Sequence, residues 1–138
     1  MIRNDIVNKA REFMGTPFHH QGRLKGVGVD CIGLLTGVAE ELGIKLVDNT
    51  KYTRNPDGKH FMEQMRKNMS EIPVDEAQIG DVIIFWFDRH TKFPQHAGIL
   101  TDIGIIHTYG DVGKVTENTL TDKWKEQMIT AFQFPGVT

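Results

Sequence analysis

The sequence predicts an α+β domain, with N-terminal helices packed on a C-terminal antiparallel sheet. Three observations carry this. Apolar residues recur at helical spacing in the first half of the chain, strand-like runs replace them beyond Pro73, and 138 residues suffice for one domain with its own core. No repeat, low-complexity tract or linker divides the chain, so residues 1–138 are read as a single domain.

Ile6, Val7, Ala10, Phe13 and Met14 predict a short amphipathic helix over 4–14, capped by Asn4 or Asp5 and stopped by Gly15. Thr16-Pro17 breaks it. The following GTPFHHQGRLKGVGVD has no clean period and is read as a Gly-rich loop; such a long loop in a compact domain is more often functional than idle. From Asp30, the positions Cys31, Leu34, Leu35, Val38, Ala39 and Leu42 repeat at three and four, with Asp30 as N-cap and Gly43 as stop. A weaker helix is expected over 58–69, after the turn Asn55-Pro56-Asp57-Gly58. Strands are expected at 81–87, 97–101, 104–109, 112–118 and 128–134.

Composition narrows the function. A hydrophobic content of 39% and a charged content of 25% fit an ordinary globular mix, and the run Val82 to Phe87 is strand-length, too short to cross a bilayer. The formal charge of −2 gives no broad attraction to nucleic acid or anionic membrane, so neither is expected as a partner. MIRNDIVNKAREFMG lacks the continuous apolar stretch of a secretory signal, and synthesis in the cytoplasm is expected.

The single cysteine, Cys31, can form no internal disulfide. On the apolar face of a helix, a free cysteine is ordinarily a small buried hydrophobe. Its position argues for more: in the first turn of a helix, unpaired N–H groups and the helix dipole stabilise a thiolate and can hold an oxyanion. Asp30 opposes this, because a neighbouring carboxylate disfavours a second negative charge. A nucleophilic Cys31 therefore needs a base.

Six histidines are available. His60 and His90 sit in polar, turn-like surroundings and are expected to be exposed, with no role. His19 and His20 are adjacent, which is the wrong spacing for a helical zinc pair, and no second cysteine supplies a ligand; no metal or other cofactor is expected. QHAGILTDIGIIHTYG is more informative. With Asp102-Ile103 as a two-residue hairpin loop, Thr101 faces Gly104, Gly98 faces His107 and His96 faces Tyr109, so His96 and His107 share a face and Gly98 leaves room for the latter. A three-residue loop would separate them. Spacing alone leaves open both a catalytic pair and two strand histidines satisfied by backbone groups.

The blocks GTPF, VDCIGLL, QIGDVIIFW and QHAGILTDIGIIHTYG, in this order, resemble the NlpC-type cell-wall cysteine peptidases, a papain-like family. The lead-in TPFHHQGRLKGVGVDC looks most like the subgroup encoded among phage tail and gene-transfer-agent genes. The resemblance implies Cys31 as nucleophile, His96 as base and His107 as the residue that orients His96, with Gly80-Asp81 as a structural turn before the first core strand. Phe18, His19, His20 and Asp30 would flank the substrate and oxyanion side. Phe18 departs from the family, where a tyrosine is frequent; His19 or His20 is the candidate replacement for the missing hydroxyl. Ile32, where serine is frequent, reads as a packing change.

By the same resemblance, the expected substrate is the peptidoglycan stem peptide, cleaved between D-glutamate and a diamino acid, and the expected partners are other phage tail proteins, with the virion tail as location. Two further readings are a weakly active or inactive structural component of a tail tip and an intracellular cysteine amidase or deamidase. Residues 48–70 are expected to border the cleft.

Overall fold

A computed structural model of the chain describes residues 2–48 and 57–138. Helix α1 spans Arg3–Arg11 and buries Ile6, Val7 and Ala10. Its N-cap is Ile2, with no side-chain cap bond, rather than Asn4 or Asp5. The helix also stops short of the expected Met14, because the backbone from Gly15 onward pairs elsewhere: the Gly15 N–H donates to Val115 O and the Val115 N–H to Thr16 O.

The expected Gly-rich loop holds a small hairpin, β1 (Arg23–Leu24) and β2 (Gly28–Val29), which leads straight into α2 (Cys31–Glu41). Helix α2 follows the sequence reading, with Asp30 accepting the Gly33 N–H at its start. Helix α3 spans Lys59–Asn68; of its expected lead-in turn, Asn55 and Pro56 lie outside the described residues.

Six antiparallel strands form the sheet: β3 (Ser70–Ile72), β4 (Val82–Phe85), β5 (His96–Leu100), β6 (Ile105–His107), β7 (Thr116–Asn118) and β8 (Met128–Gln133), in the order β3-β8-β4-β5-β6-β7. The five expected strands are present; that at 97–101 is shifted by one residue to 96–100 and the other four are trimmed, most severely 112–118. Strand β3 and a short helix α4 (Asp122–Glu126) were not legible, since both are short and charged. Helices α1, α2 and α3 lie in the first half and the six-stranded sheet in the second, as expected for the α+β class, with only the short α4 set among the strands.

Central strand β4 reads as an unbroken apolar run because both faces of the sheet are covered. Val82 and Ile84 join the core with α1 and α2, while Ile83 and Phe85 pack on the other side with Ile105, Ala131, Trp124 and Met128. Before β4, Gly80 adopts φ +86° and its N–H donates to Leu100 O, turning the chain into the sheet. Asp81, fully buried, accepts from the Gln78 N–H and pairs with Arg3 of α1. Removing Arg3 leaves that carboxylate buried without its counter-charge. Arg3→Met is expected to lower the unfolding free energy by about 3 kcal/mol, measured by urea denaturation.

Candidate active site

The segment from Gly15 to Asp30 is shaped around the start of α2. The Phe18 N–H donates to Gly113 O, the His19 N–H to Val29 O, and the Val29 N–H to Pro17 O, which ties the lead-in to both the hairpin and the β6–β7 connection. The carboxylate of Asp30 gathers the rest, accepting from the N–H groups of Gly33 (2.8 Å) and Gln21 (2.9 Å) and from Arg23 (3.0 Å). Arg23 also pairs with Asp48. A Cβ on Gly33 would overlap the carbonyl oxygen of Gly22, so helix and loop touch backbone to backbone.

Cys31 is half-buried at the first position of α2 and faces β5, whose Ala97 N–H reaches the sulfur. Burial, seconded by the Asp30 carboxylate, pushes its thiol up to about 12 against the help of the Ala97 and Ile32 N–H groups. The dipole argument from sequence is thus outweighed: in the free protein the group is a thiol.

The hairpin register is the one a two-residue loop dictates. Gly98 pairs with His107, and the Thr101 N–H donates to Gly104 O. His96 and His107 lie on one face, each 1% exposed, with His96 Nε2 2.9 Å from His107 Nδ1. The ring of His96 lies 5.3 Å from that of Tyr109, its expected neighbour. A side chain at Gly98 would crowd Ile105 Cγ1 (2.6 Å) before His107 Cβ (3.1 Å), so this glycine makes room for both.

His107 Nε2 lies 3.0 Å from Asn118 Oδ1, which also accepts the Thr116 hydroxyl at 2.8 Å. Aromatic rings pack around the histidine pair: Phe87 stacks on His96 at 4.9 Å, and Phe85, Tyr109 and Trp124 lie against it as well. Burial, and then the charge of His107, holds His96 well below the usual histidine range; burial also lowers His107, against the Asn118 hydrogen bond. Asn118 and Trp124 were missed in the sequence, because β7 and α4 reach the site only through the sheet order.

Cys31 and His96 open on one cavity of about 220 Å³. Phe18, His20 and Asp30 line it; His19 is exposed and outside the lining, its Nδ1 against His20 O. His60, expected to be exposed, is half-buried and lines the cavity from α3; His90 is exposed. The expected border over 48–70 is met by Asp48 and by α3 residues including Phe61 and Met65, with 49–56 outside the described residues. Thr108 is fully buried on the cavity wall, its hydroxyl without a hydrogen-bond partner among the described residues.

A cysteine at a helix start and a histidine pair on an antiparallel sheet, meeting at one cleft, define a papain-like domain. The chain belongs to the NlpC/P60 family, whose model matches residues 15–133. Among solved structures, it is similar to an NlpC/P60 family protein from Bacillus cereus (24% identity, TM-score 0.72), covering 96% of this chain and 40% of that one. It is also similar to the NlpC/p60 domain of the peptidoglycan hydrolase SagA (22%, TM-score 0.68; 96% and 98% covered). A third similar structure is RipD from Mycobacterium tuberculosis, a non-catalytic NlpC/p60 domain protein adapted to peptidoglycan binding (20%, TM-score 0.59; 96% of both chains). The chain thus spans about 40% of the Bacillus cereus protein and nearly all of the other two. No curated protein sequence matches the chain.

Two measurements follow. Alkylation of Cys31 by iodoacetamide in the free protein is expected to keep rising with pH far into the alkaline range, with no plateau near neutrality. The histidines give the opposite dependence for folding. Their folded values are depressed, so the unfolded chain takes up protons first: their contribution is complete above pH ~6.5 and is lost as pH falls from there toward the depressed values. Urea midpoints are expected to drop between pH 7.5 and 5.5, and His96→Gln to flatten that slope.

Proposed function

We propose that the chain is a cysteine endopeptidase of peptidoglycan stem peptides, cutting between D-glutamate and a diamino acid and delivered on a phage tail. The observation that carries the chemistry is the meeting of Cys31 at one cavity with His96, which His107 backs from behind at 2.9 Å. Substrate class follows the family and the hydrolase SagA; the cleaved bond rests on the resemblance to the NlpC-type peptidases, and tail delivery on that of TPFHHQGRLKGVGVDC to phage-encoded members.

With Cys31 resting as a thiol and His96 neutral, proton transfer accompanies attack. The sulfur adds to the amide carbonyl as its proton passes to His96, and the N–H groups at the start of α2 receive the oxyanion. Collapse expels the amine, which takes the proton from His96, and leaves a thioester on Cys31. Water, deprotonated by His96, then adds to the thioester and restores the thiol. His107 orients His96 and accepts a hydrogen bond from it throughout. His20 lines the cavity beside Phe18, and supplies the polar contact that the family's tyrosine hydroxyl makes.

A second reading draws on the high thiol pKa and the absent hydroxyl at Phe18: a wall-binding domain without turnover, as in RipD. Incubation with purified peptidoglycan and mass spectrometry of the soluble fragments separates the two. Wild type is expected to release stem fragments with a new amine terminus and Cys31→Ala none; sedimentation with the wall but no fragments from either would establish the second reading.

A further inference from the structure

We propose that Asn118 is a positioning residue that fixes the direction of the hydrogen-bonded chain Asn118–His107–His96 and so leaves the lone pair of His96 on Nδ1. This rests on reading Cys31 and His96 as nucleophile and base. Asn118 ends β7, where Thr116 pairs directly with His107, and its amide reaches diagonally across the strands to His107 Nε2.

With the amide oxygen of Asn118 facing both Thr116 and His107, proton accounting along the chain leaves one arrangement. Asn118 Oδ1 carries no hydrogen, and the Thr116 hydroxyl donates to this same oxygen, so His107 Nε2 at 3.0 Å holds a proton. A neutral imidazole has one N–H, so His107 Nδ1 is bare and accepts. At 2.9 Å from it, His96 Nε2 therefore donates. The remaining nitrogen of His96, Nδ1, is left with its lone pair, the form a base for the Cys31 thiol requires. The opposite direction would need the amide turned over, so that Nδ2 donates to His107 and the Thr116 hydroxyl loses its acceptor on Oδ1. Burial prevents escape by a second proton on either ring. The side chains packed around the pair are aromatic, Phe85, Phe87, Tyr109 and Trp124, with no carboxylate or ammonium among them. The carboxylate of Glu117, next to Asn118, is engaged by Arg11 and Thr101. Asp30, beside Cys31, is held by Gly33, Gln21 and Arg23.

Asn118 is exposed on an edge strand, so its variants are expected to fold. Water replacing the amide can donate as well as accept, and the direction is then released. Long-range ¹H–¹⁵N correlation spectra of the free, ¹⁵N-labelled protein above pH 7 read the tautomers directly. Both histidines are expected as Nε2–H forms in wild type and in Asn118→Asp, which keeps an acceptor in place. In Asn118→Ala a mixed population is expected, with kcat on peptidoglycan lowered about tenfold at unchanged KM, the scale of one neutral hydrogen bond. An Nδ1–H form of His96 in wild type, tautomers unchanged in Asn118→Ala, or Asn118→Asp behaving like Asn118→Ala would each overturn the proposal. The spectra need no substrate, so a wild type that cleaves nothing would sink the endopeptidase reading while the role of Asn118 is still decided.

Discussion

The register of the β5–β6 hairpin is the constraint on which the site depends. Thr101 locks it: its hydroxyl accepts the N–H groups of Ile103 and Gly104 and donates to Glu117, closing the loop at two residues. Arg11 of α1 then grips Glu117 with two nitrogens and also reaches Asp102, fastening the hairpin tip and β7 to the helical half. A slip of one residue would send His107 to the opposite face and leave His96 without its partner.

Burial governs the site's charge state. Rings packed around the histidine pair limit water, which keeps both imidazoles neutral, and the packing that seats Cys31 against β5 keeps its thiol protonated. A helix start offers partial positive charge, but Asp30 occupies the first-turn N–H it would have shared and adds a negative charge nearby. The same carboxylate gathers Gln21 and Arg23 into the wall around the cysteine. Asp30 thus orders the loop while opposing the thiolate.

Parts of this were legible in the residues. The period of CIGLLTGVAEEL and the cap at Asp30 located α2, and a two-residue loop at Asp102-Ile103, the condition that the structure meets, pairs Gly98 with His107. Other parts were not. The cap of α1 went to Ile2, and the helix stopped early because β-bridges claimed the backbone after it. His60 was read as exposed from its polar neighbours, yet α3 packs across the cleft and draws it in.

The sequence by itself determined the elements whose causes are local: a capped helix carrying Cys31, a hairpin between two apolar runs that shares a face between its histidines if the loop is two residues, and a change from helix to strand beyond Pro73. Only the tertiary structure decided that His20 and not His19 lines the cleft, that Cys31 rests as a thiol, and that Asn118 ends the histidine chain. The division is physical. Capping and turn geometry are set by residues a few positions apart, whereas desolvation and hydrogen-bond direction depend on which distant segments the sheet order brings together.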